Sequence, residues 1–406
     1  MVPTPAAIGA ARTARPWQRW PTDERSPNGA DTGVRRRTVA FRLSRRGPPR
    51  DVQGLEVHPA VSINIIQQIG GAATAPASAT ALVREGVLQL PDPFVLHHGG
   101  SLQGAQLAWR IEGQPQHPLL IVLGGISASR RVFGAEGAQR GWWNEVVGPG
   151  LPLDTRRAQV LGIDYLGGSG ASTSPAVGRP FPALSSYDQA EALAALLDHL
   201  KIDRVRGIVG ASYGGMVALA FGERFPTRVE RLCVISAADQ THPMATAWRS
   251  VQREIMRLGL KAGCAREGIV LARALAMATY RSREEFAARF RGEPRFDADN
   301  HPAFPVEDYL LSRGRAYADN YRPESFICLS ESIDLHRVDS TQIPVPVDIV
   351  AVLEDQLVPL SDLRATAARL PRAQVHEISS LFGHDAFLKE AEQLRPILAS
   401  LFESAP

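Results

Sequence analysis

VRGIVGASYGG, residues 205–215, carries an apolar strand-like stretch into a turn of small residues, and YGGMVALAFGERF, residues 213–225, leaves that turn as a helix-like stretch. Ser212 stands at the turn between Gly210 and Gly214, with Gly215 beyond. Small residues on both flanks allow a sharp strand-to-helix turn that pushes a serine hydroxyl out above the end of a sheet. The N-terminus of the helix that follows favours negative charge developing at the same place. GxSxG alone also describes an ordinary glycine-rich turn, so the reading rests on the strand before it and the helix after it. It makes Ser212 the candidate nucleophile.

Working outward, β-like runs alternate with helix-like ones, which predicts a mostly parallel sheet flanked by helices. The expected strands are 107–111, 119–123, 159–163, 205–209, 231–235, 347–352 and 374–378. Helical periodicity runs over 187–200, and 213–225 and 385–402 are expected to be helical as well. Between about 238 and 341 the alternation stops. That stretch is rich in Arg, Glu, Ala and Met, has helical runs at 244–258 and 267–280 and few strand signals, and is expected to fold as a helical lid. The core is therefore expected to be 88–237 together with 342–406. Residues 1–57, rich in Arg, Pro, Gly and Ala, read as a disordered tail, and 58–87 as a linker.

A serine hydroxyl needs a base to take its proton, and the base needs an acid to fix its tautomer. In an α/β-hydrolase fold the chain order is Ser, acid, His. Asp355 follows the strand 347–352, where such an acid belongs, with Glu354 its rival. His384 lies in the loop between the last strand and the last helix, whereas its rival His376 lies within a predicted strand. Ser212, Asp355 and His384 are thus the expected catalytic triad. The oxyanion hole is expected from amides after an early strand and after the nucleophile. Leu123-Gly124-Gly125-Ile126 ends such a strand, which nominates Gly125 or Ile126 together with Tyr213; a simple tight turn at Gly124-Gly125 is the alternative. Gly167-Gly168-Ser169-Gly170 matches no phosphate-binding pattern and reads as a loop near the site.

Composition bounds what else the chain can do. With 406 residues and 44% apolar content it can bury a full core. Residues 1–60 hold 11 Arg against 5 acids, a net +6, so the remainder carries 3 − 6 = −3. A mildly acidic body does not suggest nucleic-acid binding. No apolar run is long enough to span a bilayer. Cys233, Cys264 and Cys328 are far apart without CxxC spacing, which suggests neither disulfides nor a zinc site and points to a reducing, cytoplasmic setting. No metal is expected. The Arg-rich start lacks the apolar stretch of a signal peptide and is expected to be a solvated tail or a stretch upstream of the true start.

Further stretches resemble the homoserine O-acyltransferases of the α/β-hydrolase fold over about residue 90 onward. They are Gly141-Trp142-Trp143-Asn144-Glu145, Gly148-Pro149-Gly150-Leu151-Pro152-Leu153-Asp154-Thr155, Leu166-Gly167-Gly168, and Ser212 with Gly214-Gly215-Met216. In the lid they are Gln252-Arg253-Glu254-Ile255, Thr279-Tyr280-Arg281-Ser282 and Val306-Glu307-Asp308-Tyr309-Leu310, and near the end Gly383-His384-Asp385-Ala386-Phe387-Leu388. The resemblance implies acyl transfer from acyl-CoA to the hydroxyl of L-homoserine in methionine biosynthesis, through an acyl-Ser212, with no tightly bound cofactor and a homodimer. It also implies that Arg253 holds the amino acid's carboxylate and Asp385 its ammonium. Read without it, Arg253 is a solvated lid arginine and Asp385 a helix N-terminal acid. Arginine is suited to clamp the distal carboxylate of a succinyl group. Arg130, Arg131 and Arg249 are the candidates, and a succinyl donor is expected ahead of acetyl; the alternative is that all three are surface arginines. A serine acceptor, and a hydrolase with the same triad, are the rival activities.

Overall fold

A computed structural model describes residues 82–134 and 140–402; the expected tail and most of the expected linker lie outside the described residues. Eight strands form one sheet: β1 Val83–Gln89, β2 Gln106–Glu112, β3 Leu119–Leu123, β4 Gln159–Ile163, β5 Gly207–Ala211, β6 Leu232–Ile235, β7 Val347–Val352 and β8 Ala373–Ile378. Their spatial order is β1-β2-β4-β3-β5-β6-β7-β8. β2 is antiparallel to both of its neighbours, and every other pairing is parallel. The central strands β3 (LLIVL) and β5 (GIVGA) are buried at every position. Parallel strands covered on both faces need such continuous runs of apolar or small residues.

β1 corrects the expected linker, whose last residues are strand. VREGVLQ has no apolar run because it is an edge strand exposed along most of its length, and its pairing from Val83↔Glu112 to Gln89↔Gln106 comes from β2. Its charged and glutamine side chains suit an open edge. β5 begins at Gly207, two residues later than expected, because Val205 makes only an isolated bridge to Val229.

Helices α1 Ser186–His199 and α2 Tyr213–Arg224 follow β4 and β5. α1 starts where its sequence caps it, with Asp188 accepting from the Ser185 amide at 2.6 Å and from its hydroxyl at 2.8 Å. Between β6 and β7 lie α3 Pro243–Lys261, α4 Ala265–Tyr280, α5 Arg283–Phe290, α6 Pro305–Ala318 and α7 Pro323–Asp334. A two-stranded hairpin, Arg295–Phe296 against Pro302–Ala303, interrupts this lid, an element too short to leave a periodic signal. The chain enters and leaves the lid side by side, through a bridge between Gln240 and Arg337 and a Val338 amide bonded to the Asp239 carbonyl at 2.9 Å. α8 Leu360–Arg369 precedes β8, and α9 Ala391–Ala399 is the last α-helix. The single helix expected over 385–402 is instead a 3-10 turn, Gly383–Leu388, then α9 and a second 3-10 turn, Ser400–Phe402.

Apolar clusters cover both faces of the sheet, and a smaller one of Met256, Ile269, Ala272, Tyr321 and Phe326 holds the lid together. Each fully buried Leu, Ile or Phe contributes about 2 kcal/mol. Where lid meets core, His336 is buried between Ser186, whose hydroxyl lies 2.7 Å from Nδ1, and the Ala238 carbonyl, 3.1 Å from Nε2. Nε2–H donates to the carbonyl and Nδ1 accepts from the serine, so the neutral ring satisfies both. Burial pulls its pKa from 6.5 down to about 4. The unfolded chain therefore takes up this proton before the folded one does, and stability falls as pH drops from 6.5 towards 4, by at most about 1.4 kcal/mol per pH unit. Thermal unfolding followed by circular dichroism should show that fall, and a shallower one in His336→Gln.

Candidate active site

Ser212 is forced into its position. Its φ of 54° and ψ of −121° lie in a region that side chains avoid. A strained backbone at this turn is what aims the hydroxyl away from the sheet. The turn closes only because two neighbours lack a Cβ. One on Gly210 would stand 2.2 Å from the Gly214 carbonyl oxygen, and one on Gly214 would stand 2.3 Å from the Leu123 carbonyl oxygen.

His384 Nε2 lies 2.8 Å from Ser212 Oγ, and its Nδ1 lies 2.7 Å from Asp355 Oδ2. The other carboxylate oxygen of Asp355 accepts from the amides of Leu357 at 2.8 Å and Val358 at 3.1 Å. Asp355 is thus buried and fixed, and by accepting from Nδ1–H it turns Nε2 toward the serine. The rivals are occupied elsewhere. Glu354 accepts from the Ser379 hydroxyl at 2.5 Å and the Ser380 amide at 2.8 Å, and His376 faces Asp348 at 2.9 Å. Burial, the largest influence on the His384 pKa, pulls it down, but the charge and hydrogen bond of Asp355 and the charge of Asp385 outweigh it and Arg249, leaving the pKa above 6.5. Trp143, from the GWWNE stretch, donates its indole N–H to the Phe387 carbonyl at 2.7 Å and so pins the loop that carries His384.

Two buried tyrosines shape the turn after β3. Tyr165 and Gly214 both donate to the Gly124 carbonyl, at 2.7 and 2.9 Å, and Tyr321 of the lid donates to the Ile126 carbonyl at 2.8 Å. Burial raises both phenols far above their ordinary range, so they remain donors. The amides of Gly125, Ile126 and Tyr213 have no backbone acceptor among the described residues. A Cβ on Gly125 would lie 4.0 Å from Ser212 Cβ, so this turn borders Ser212. The Tyr213 side chain points elsewhere, to Ser332 Oγ at 2.6 Å.

Ser212 and His384 open onto two cavities. The larger, about 240 Å³, is lined by Gly125, Ser127, Trp142, Arg273, Tyr280 and Asp385 among others. The smaller, about 40 Å³, is lined by Met216, Ser236, Arg249, Gln252, Phe326 and Leu357 among others. Asp385 is therefore at the site, with Arg281 Nε 3.2 Å from its carboxylate. Arg253 is a correction: it lines neither cavity, and its Nη1 is taken by Asp334 at 2.5 Å and Ser330 Oγ at 3.0 Å. The cation that faces the larger cavity is Arg273. It lies over the rings of Tyr280 at 5.0 Å and Tyr317 at 4.6 Å and has no carboxylate in ion-pair range among the described residues. Its sequence signal was its place seven residues before Tyr280 on α4, hence on the same helix face. Arg130 and Arg131 are corrections too. Arg130 is bound to the buried Asp164, and Arg131 reaches only Glu85, at 3.9 Å, so neither lines the cavities. Arg249 does line one.

The sequence pattern of the alpha/beta hydrolase fold matches residues 118–391. A homoserine O-succinyltransferase of Xanthomonas campestris pv. campestris is 39% identical over 329 residues, which are 80% of this chain and 85% of that protein. A serine O-succinyltransferase of Litchfieldella anticariensis is 33% identical over 357 residues, 77% of this chain and 96% of that one. Among solved structures, a homoserine O-acetyltransferase from Bacillus anthracis superposes with a TM-score of 0.72 at 18% identity, covering 80% of this chain and 98% of that one, a likeness of fold.

With His384 held above pKa 6.5, acylation of Ser212 by an activated ester should rise with pH through a midpoint above 6.5. Ser212→Ala should lower this rate by about 10⁴-fold or more. Gly214→Ala should lower the thermal midpoint, because its methyl would meet the Leu123 carbonyl.

Proposed function

Because the chain belongs to the homoserine O-acyltransferases of the α/β-hydrolase fold, we propose that it moves an acyl group from acyl-CoA to the hydroxyl of L-homoserine, a step of methionine biosynthesis. The observation that carries this reading is a pair of opposite charges, Arg273 and Asp385, on the walls of the cavity that opens onto Ser212. A zwitterionic amino acid offers a carboxylate to the first and an ammonium to the second, leaving its side-chain hydroxyl to reach the acyl-enzyme. Arg273 takes that role in place of Arg253, which is bound to Asp334 and lines neither cavity.

In the first half-reaction Ser212 Oγ attacks the thioester carbonyl while its proton passes to His384 Nε2. The amides of Tyr213 and of Gly125 or Ile126 receive the oxyanion. The C–S bond then breaks and His384 protonates the thiolate. In the second half, His384 deprotonates the homoserine hydroxyl, which attacks the acyl carbon; the C–O bond to Ser212 breaks and its oxygen takes the proton back. Asp355 holds the imidazolium in place throughout. Acyl-CoA is the only co-substrate this chemistry uses, and we expect succinyl to be preferred to acetyl. The reading is of a cytoplasmic enzyme. It is also of a homodimer, supported by Met244, Val251 and Leu258, exposed by 52%, 52% and 67% at seven-residue spacing along α3.

Purified protein with L-homoserine and succinyl-CoA or acetyl-CoA should release free thiol in a homoserine-dependent way, and Ser212→Ala should not. Arg273→Ala should raise KM for homoserine about a hundredfold, as loss of one partner of a buried charge contact does. Release that needs L-serine instead would move the acceptor to the shorter amino acid, as in the Litchfieldella relative's name. Release without any acceptor would make the protein a thioester hydrolase.

A further inference from the structure

An amide stabilises an oxyanion only when it is aimed, and a trans peptide aims its N–H opposite to the carbonyl of the residue before it. What each carbonyl binds therefore sets where the next amide points. The Ser212 carbonyl, behind the Tyr213 amide, accepts from Gly215 at 2.9 Å and Met216 at 3.2 Å. The Gly124 carbonyl, behind the Gly125 amide, accepts from Tyr165 and Gly214. The Gly125 carbonyl, behind the Ile126 amide, accepts from Ala128 at 2.9 Å and closes a turn whose central peptide joins Ile126 to Ser127. That central peptide takes no part in the closing bond, and among the described residues its carbonyl has one donor, the Tyr321 hydroxyl at 2.8 Å. The other ties come from the core; this one comes from the lid.

Tyr321 is itself held firmly. It lies between α6 and α7, buried with Met256, Ile269, Ala272 and Phe326 in the lid's own apolar cluster. Its ring stacks on Tyr317 with centroids 4.8 Å apart, and Tyr317 in turn carries Arg273 4.6 Å above its face. Ile126 borders both cavities beside Ser212. Tyr321 lines neither, so its bond turns the Ile126 carbonyl, and the negative end of that dipole, away from them.

We propose that Tyr321 is a positioning residue for acyl transfer. By holding the Ile126 carbonyl it keeps the turn after β3 in the orientation in which its amides face the oxyanion on Ser212, so the lid completes an oxyanion hole whose donors belong to the core. The inference rests on the acyl-transfer reading and adds to it a residue outside both cavities. Both half-reactions pass through an oxyanion at the same place, so both depend on this bond. Losing an oxyanion donor outright costs about 10²- to 10³-fold in kcat, and a donor that stays but is less well aimed should cost about tenfold.

Tyr321→Phe removes the hydroxyl and keeps the ring, and with it the stack on Tyr317 and the place in the lid cluster. Acylation is read from the burst of p-nitrophenol released by a short-chain p-nitrophenyl ester. Oxyanion binding is read from the inhibition constant of a matching trifluoromethyl ketone, whose carbonyl carbon takes a bond from Ser212 Oγ while its oxygen becomes the oxyanion of a hemiketal. The variant should acylate about tenfold more slowly at saturating ester and bind the ketone about tenfold more weakly, with its half-saturating ester concentration and thermal midpoint nearly unchanged. Tyr165→Phe, whose Gly124 carbonyl keeps the Gly214 amide, should lose less than about threefold by both measures. Unchanged acylation or ketone affinity in Tyr321→Phe, a loss confined to half-saturation or thermal midpoint, or equal losses in the two variants would each overturn the assignment. If the expected pattern holds with the ester while acyl-CoA releases no thiol, the positioning role stands and the acyl-CoA reading falls. A parent protein that gives no ester burst would overturn both.

Discussion

The approach of α2 to β3 fixes everything else at the site. With no side chain at Gly214, the Leu123 carbonyl can come within 2.3 Å of where a Cβ would stand, and the Gly214 amide bonds to the Gly124 carbonyl at 2.9 Å. The Ser212 turn and the turn after β3 are thereby two ends of one contact. The strain at Ser212 is held by that packing, by the bond from its own amide to Ile235 at 2.8 Å and by the buried β5 beneath. Strain of this kind persists only where the surroundings over-determine it.

The lid supplies polar side chains to the two cavities beside Ser212. α4 brings Arg273 and Tyr280 over the larger cavity, α3 brings Arg249 and Gln252 to the smaller one, and Tyr321 reaches down to the Ile126 carbonyl. An arginine cushioned by two tyrosine rings keeps its charge available, whereas one paired to an aspartate has spent most of it locally. This difference separates Arg273 from Arg253, although both lie on lid helices.

Much of the architecture was legible in the amino-acid order. The inner parallel strands β3 to β7 are buried runs of mostly apolar or small residues, because covered parallel strands permit little else, and the serine, acid and histidine stand in the loops that follow strands. β1 was not legible, since an edge strand exposed to water needs no apolar pattern and takes its conformation from its partner β2. Nor was the break of the last helix at Lys389, which leaves His384 in a 3-10 turn above the sheet.

The sequence by itself determined the fold and the chain order of Ser212, Asp355 and His384, because local backbone chemistry writes these into spacing: glycines where a Cβ cannot fit, apolar runs where both faces are covered. Only the tertiary structure decided which charges are free. Arg130, Arg131, Arg249, Arg253 and Arg273 are the same side chain to a reader of the sequence. What each can do depends on whether a carboxylate distant in the chain, Asp164 for the first and Asp334 for the third and fourth, lies within ion-pair reach of it. Such pairing is a matter of distance in space, and no local pattern encodes it.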